Sequence, residues 1–226
     1  MITCVPVMGC ATEAALGKME VVFKVADMVE LRLDRMPDHD LGRLLNGRRE
    51  KIIVTNRRKE EGGGFRGTER ERVDLLKEAV ALGAGYVDIE AATDPDLVGE
   101  LRSDIAGRGH RTALILSSHD FSGTPSVKVL RKRMDACTEG DLVKIVTYAR
   151  RIEDNLRLLD LIPYAGRKGR RIIAFCMGEM GLLSRVAAPL LGSFLTYAVL
   201  HAGEESAPGQ MTLEKTLRIH RELTLV

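Results

Sequence analysis

Eight short apolar runs rich in β-branched residues recur along the 226 residues, at 3–8, 28–33, 51–56, 86–90, 112–118, 141–146, 171–176 and 194–200. Such runs read as strands buried on both faces, as in a parallel sheet. The stretches between them carry helical signals. Val73, Leu76, Lys77, Val80 and Ala81 form one amphipathic face after Thr68. Asp94-Pro95 and Thr124-Pro125 each read as an N-cap followed by proline at the first helical position, where no backbone N–H is needed. Residues 212–225 repeat the helical pattern more loosely, with Leu213, Leu217, Ile219 and Leu223 on one broad face.

This alternation predicts an α/β chain of the (βα)8 TIM-barrel class, with residues 1–226 as a single domain. The alternative, an open doubly wound sheet, normally carries a Gly-rich phosphate turn after its first strand. Here the first run leads into Val7-Met8-Gly9-Cys10-Ala11-Thr12, which lacks that spacing. No linker or low-complexity segment interrupts the chain. The stretch Glu60-Glu61-Gly62-Gly63-Gly64-Phe65-Arg66-Gly67 is expected to be a mobile loop after the third strand.

Composition narrows the partners. With 34 Lys+Arg against 32 Asp+Glu, the net charge of +2 gives no general case for nucleic acid or an acidic membrane surface. No apolar run is long enough to span a bilayer. Cys4, Cys10, Cys137 and Cys176 show no metal-like CxxC spacing, and a chain of this size needs no disulfide staples. The amino terminus lacks a charged start followed by an apolar stretch, so a cytoplasmic location is expected.

Polar residues at the predicted strand ends point to chemistry, because a barrel gathers its catalytic groups there. Period-two alternation puts Glu30 and Arg32 on one strand face, and likewise Asp88 and Glu90. Lys144 interrupts the apolar run Asp141-Leu142-Val143-Lys144-Ile145-Val146. A lysine there must pair with a carboxylate in the core, or serve as a desolvated amine able to attack a carbonyl. His119, in Ser117-Ser118-His119-Asp120-Phe121, is the natural acid–base group, with His201 as the fallback. His39, His110 and His220 read as surface. No spacing suggests a metal. Arg32, Arg57 and Arg185 imply an anionic, hydroxylated small molecule, since guanidinium grips a carboxylate in a two-pronged fork.

These residues fall into a known pattern. Glu30-Leu31-Arg32, Thr55-Asn56-Arg57 with Glu61-Gly62-Gly63, Ser118-His119-Asp120-Phe121, Val143-Lys144-Ile145, Met177-Gly178 with Ser184-Arg185, and Ser206-Ala207-Pro208-Gly209-Gln210 span nearly the whole chain. In that order they closely resemble type I 3-dehydroquinate dehydratase, a (βα)8 enzyme family of the shikimate pathway. The resemblance implies that Lys144 forms an imine with the C3 ketone of 3-dehydroquinate. It implies that His119 moves protons at C2 and at the departing C1 hydroxyl, and that Glu61 orients His119. Arg185 would hold the substrate carboxylate, and Glu30, Arg32 and Arg57 the ring hydroxyls. Ser206 and Gln210 would belong to a lid. The product would be 3-dehydroshikimate, formed without metal or organic cofactor.

Two features stand apart from the pattern. The chain starts almost at its first strand, whereas longer relatives carry an amino-terminal hairpin under the barrel. The third loop offers both Glu60 and Glu61, and Glu61 is chosen because the paired glycines follow it directly. Glu90 would raise the proton affinity of Lys144 if close to it, unless another partner engages the carboxylate. A homodimer is compatible with the sequence, though no feature demands one. Two rival readings use the same residues. One is another imine-forming barrel of the class I aldolase kind, which would usually need a phosphate turn. The other is a non-enzymatic carboxylate-binding module, which has no need for both His119 and Lys144.

Overall fold

The computed structural model describes residues 1–108 and 112–224; His110 and Leu225, both invoked above, lie outside the described residues. In chain order the elements are β1 (Thr3–Val7), α1 (Thr12–Val25), β2 (Met28–Arg32), α2 (Leu41–Leu44), β3 (Ile52–Thr55), α3 (Glu69–Ala81), β4 (Tyr86–Glu90) and α4 (Pro95–Ala106). There follow β5 (Ala113–Asp120), α5 (Val127–Ala136), β6 (Leu142–Tyr148), α6 (Asp154–Leu159), α7 (Leu161–Arg167), β7 (Arg171–Met177), α8 (Leu182–Leu190), β8 (Thr196–Tyr197) and α9 (Leu213–Thr224). The strands form one sheet in the order β7-β6-β5-β4-β3-β2-β1-β8. Parallel strands with helices between them, β8 returning beside β1, make this a (βα)8 barrel fold. All eight predicted strands are present. The last is the most changed: only Thr196–Tyr197 ladders, with an isolated bridge from Val199 to Thr212 beyond it.

Backbone proximity divides the chain into two compact units. One comprises Val7–Ser118 and Cys137–Leu142. Its strands β2 to β5 pair in parallel, with Arg32 opposite Thr55, Thr55 opposite Asp88, and Glu90 opposite Ser117. Period two therefore sets a polar layer among otherwise apolar strands such as Ile52–Thr55. Each buried Val, Leu or Ile contributes about 1.5–3 kcal/mol, enough to hold that layer in place. Helix α3 starts where its sequence says. Thr68 accepts from the Glu71 N–H, and the Glu71 carboxylate accepts from the Thr68 N–H, a reciprocal cap. Thr68→Ala would cost about 1 kcal/mol. The buried face of α3 differs from the expected one: Ala81 is exposed and Lys77 half-buried, while Arg72 and Ala79 lie inside. Asp94 caps α4 as expected, accepting from the Asp96 N–H with Pro95 in the first turn.

The other unit comprises Met1–Pro6, His119–Ala136 and Val143–Val226. Here Thr3 and Cys4 of β1 lie opposite Thr196 and Tyr197. Thr124 does not cap a helix. Its hydroxyl meets Thr147 Oγ1 at 2.8 Å and donates to the Tyr148 carbonyl, and α5 begins only at Val127. The inner stripe of α9 is Leu213, Thr216 and His220, whereas Leu223 is exposed. His220 is thus a buried residue, not a surface one. A tighter i, i+3, i+7 stripe won over the looser leucine face because only one narrow side of α9 is covered. Asn155 Oδ1 accepts from the Ser184 N–H, and the Ser184 hydroxyl accepts from the Cys176 N–H. These bonds fix the start of α8 against β7 and aim the next residue, Arg185.

Candidate active site

The first unit holds an ion cluster built on the strand ends. Arg57 is buried, and its two terminal nitrogens are committed. Nη1 donates to Glu90 Oε1 at 2.9 Å and Ser117 Oγ at 2.6 Å, and Nη2 to Asp88 Oδ1 at 2.9 Å. Burial opposes the charge on Arg57, but Asp88, Glu90, Glu30 and Glu61 outweigh it and raise its pKa. Glu90 is fully buried. It also accepts from the Arg58 N–H, and its Oε2 lies 2.6 Å from Arg72 Nη1 as an ion pair rather than an aligned hydrogen bond. Glu90 is thus engaged by the guanidinium groups of Arg57 and Arg72 and by the Arg58 N–H. Glu30 is buried and accepts from Thr55 Oγ1 at 2.9 Å.

Arg32 makes its fork to a residue of its own chain: Nε and Nη2 reach Asp34 at 2.9 and 2.8 Å. Asp34 accepts in addition from the Arg57 and Gly64 N–H groups. Burial pushes the Asp34 carboxyl up, but the Arg32 hydrogen bonds and charge and the two N–H groups prevail, so its pKa is lowered. The glycine-rich stretch, expected to be mobile, is therefore anchored through Gly64 to Asp34 and through the Gly62 carbonyl to Arg35. Gly63 is obligatory there, because a Cβ would collide with the Arg57 carbonyl. Glu60 is exposed and paired with Arg58 at 3.0 Å. Glu61 is the one of the pair whose charge acts on Arg57.

In the second unit Lys144 lies mid-strand in β6 and is 4% exposed. Its Nζ donates to the Tyr197 hydroxyl at 3.1 Å and sits 4.6 Å from that ring's centroid. His119 falls inside β5, which runs two residues further than expected, and is half-buried. The next residue, Asp120, pairs with Arg133 at 2.9 Å. His201, the fallback, is exposed in the turn after β8.

Arg185 is 1% exposed and lies over the Phe175 ring, 4.5 Å from its centroid. Nη2 donates to the Pro208 carbonyl at 3.2 Å, while Nε and Nη1 have no hydrogen-bond partner among the described residues. Burial pulls its pKa down to about 10. Two buried, unanswered guanidinium donors leave Arg185 able to meet an anion. The segment 206–210 folds over this arginine. Gln210 Oε1 accepts from the Ser206 N–H at 2.7 Å, the Ser206 hydroxyl at 3.1 Å and the Ala207 N–H at 3.3 Å. The Pro208 carbonyl accepts from the Gly178 N–H as well. Gly209, with φ of +80°, passes so close to the Gly178 backbone that a Cβ would clash.

Lys144, His119, Arg185, Ser206 and Gln210 thus belong to one unit, and Glu30, Arg32, Arg57 and Glu61 to the other. Among the described residues, no group of three or more His, Cys, Asp or Glu is placed to hold a metal ion. No helix among them is long and apolar enough to cross a membrane. Three residues of these networks escaped the sequence reading. Arg72 shares a helical face with Leu76 and Val80 at four-residue spacing, a signal that could have found it. Asp34 lies two residues beyond Arg32, on the same alternation. Tyr197 is hidden inside an apolar run and gives no such signal.

The model of the family described as Type I 3-dehydroquinase matches residues 3–224. A 3-dehydroquinate dehydratase of Dehalococcoides mccartyi (strain BAV1) is 39% identical over 222 residues, covering 95% of each chain. The crystal structure of 3-dehydroquinate dehydratase from Geobacillus kaustophilus superposes with a TM-score of 0.84 at 29% identity, covering 98% of this chain and 90% of that one. The corresponding Aquifex aeolicus structure gives 0.80 at 29% identity, with full coverage of both chains. The chain therefore belongs to the type I 3-dehydroquinase family.

Proposed function

We propose that this chain converts 3-dehydroquinate to 3-dehydroshikimate through an imine on Lys144. Family membership makes it a type I 3-dehydroquinate dehydratase, a hydro-lyase of the shikimate pathway. The imine route is the finer reading. The observation that carries it is the burial of the Lys144 amine within β6, in the same compact unit as the unanswered Nε and Nη1 donors of Arg185. A protonated imine withdraws electrons and acidifies the adjacent C2–H. His119 takes that proton, the electron pair moves into an enamine, and the C1 hydroxyl leaves as water with a proton returned by His119. Arg185 holds the carboxylate. Glu61 tunes His119, and Glu30, Arg32 and Arg57 act on the ring hydroxyls. For Arg57 that action runs through the Asp88–Glu90–Ser117 cluster that already occupies its guanidinium. Ser206 and Gln210 close the site. The same reading takes residues 1–226 as one catalytic domain acting in the cytoplasm, possible as a homodimer, with no nucleic acid or membrane partner and no cofactor.

The test is borohydride reduction in the presence of 3-dehydroquinate, followed by peptide mass analysis. One ligand mass is expected on the peptide containing Lys144. Lys144→Ala should abolish both the adduct and the rise in ultraviolet absorbance of the conjugated product. His119→Ala should lose turnover by ~10²–10⁴-fold while still trapping substrate. An adduct on another lysine sinks the assignment.

A further inference from the structure

We propose that the Tyr197 hydroxyl is a catalytic proton relay for imine formation at Lys144. This inference rests on the imine reading above. Tyr197 touches the reacting atom itself: its oxygen accepts from Lys144 Nζ at 3.1 Å, and both residues are 4% exposed. A phenol can accept one proton while donating its own, which a lysine, an arginine or an ionised carboxylate cannot do.

The ring is also held in place. Tyr197 pairs in register with Cys4 of β1, and its ring meets Phe175 edge-on, centroids 6.0 Å apart at 62°. Phe175 in turn lies under Arg185, 4.5 Å from its guanidinium carbon. One aromatic pair therefore supports both the amine and the guanidinium. Phenylalanine at 197 would preserve that packing and lose only the oxygen, so packing alone does not require a tyrosine.

The step balances as follows. The neutral Nζ adds to the ketone carbon, and the C=O π pair moves onto oxygen, leaving a cationic nitrogen beside an alkoxide. A proton passes from Nζ to the Tyr197 oxygen as the phenolic proton passes to the alkoxide. Tyr197 ends neutral, and a neutral carbinolamine remains. The C–O bond then breaks with its pair on oxygen, which takes a proton from a general acid and leaves as water, while the nitrogen lone pair forms C=N.

The test is rapid-quench borohydride trapping with 3-dehydroquinate in wild type and Tyr197→Phe, read as the rate of adduct formation on Lys144. Slowing on the order of 10²-fold is expected. Site-specific 3,5-difluorotyrosine at 197, a more acidic phenol, should shift the pH profile of trapping toward acid, which a purely structural role would not do. Wild-type trapping rates in Tyr197→Phe, or an unmoved profile in the fluorinated protein, overturn the relay and leave the imine reading intact. Failure of wild type to trap at Lys144 overturns both. If Tyr197→Phe does not fold, the fluorinated protein decides.

Discussion

Arg185 donates through Nη2 to the carbonyl of Pro208, 3.2 Å away, while its Nε and Nη1 have no hydrogen-bond partner among the described residues. Nη2 thus fastens the 206–210 segment, while the buried Nε and Nη1 donors remain unanswered. Leaving two buried donors unanswered costs about 1–3 kcal/mol each, a cost that a bound carboxylate would remove. On the proposed reading, carboxylate capture and placement of the 206–210 segment are joined in one side chain.

Removing that side chain should affect both. Arg185→Ala is expected to weaken substrate binding by about 1.5–3 kcal/mol, the range for hydrogen bonds to charged groups. Arg185→Lys should recover only part of this, because an ammonium cannot reproduce the fork. Hydrogen exchange in 206–210 should quicken in both variants. A Michaelis constant equal to that of wild type in Arg185→Ala would assign the carboxylate to another residue.

The Arg57–Glu90–Arg72 cluster is a stability element as well as a polar layer. Glu90→Gln leaves two buried guanidinium groups short of their counter-charge, and breaking a buried pair costs about 3–5 kcal/mol. Glu69→Gln, which touches the same Arg72 from a more exposed position, should cost under about 1 kcal/mol. Urea unfolding of the two variants makes the comparison. Equal losses would show that burial of Glu90 carries no special weight.

How legible this protein was depends on which force sets each feature. The strands were readable because two-sided burial leaves runs such as Leu142–Tyr148 with a single charged interruption, and that interruption is Lys144. The candidate site residues stood out because a charge inside such a run is costly. Pairing within the strand-end layer was not. Nothing local in the sequence says that Arg57 is occupied by Asp88 and Glu90, or that Asp34 anchors the glycine stretch, because those choices are made across strands. Thr124 misled for a related reason: a hydroxyl before proline mimics a cap, but here the Tyr148 carbonyl and Thr147 compete for it. Tyr197 and His220 were missed because an aromatic in an apolar run and a histidine among charged helix residues resemble filler and surface.

His220 should give the fold an acid-sensitive step. Burial disfavours its charged form, the amino-terminal charge adds to this, and a backbone hydrogen bond with Val186 only partly opposes them, so its pKa lies below the usual 6.5. The unfolded chain then binds this proton more readily than the folded one. The contribution is complete above about pH 6.5 and is lost as pH falls from there through the lower folded value. His220→Gln, which cannot titrate, should flatten this part of the curve of unfolding free energy against pH. Parallel curves for wild type and variant between pH 7.5 and 5 would remove His220 from the account.

Gln210 is the internal brace of the 206–210 segment. Its Oε1 gathers the Ser206 N–H, the Ser206 hydroxyl and the Ala207 N–H, so one acceptor closes the turn that presents the Pro208 carbonyl to Arg185. Gln210→Ala leaves the turn without that acceptor, while Gln210→Glu keeps it. The alanine variant should show faster hydrogen exchange or proteolysis at 206–210 without substrate and reduced turnover at saturation, with global stability little changed because the segment is only partly buried. The glutamate variant should retain the turn. Its added negative charge, in the turn that bonds Arg185 through Pro208, should raise the Michaelis constant for an anionic substrate. If Gln210→Ala exchanges and turns over like wild type, the bonds from Gln210 shape the loop without governing closure.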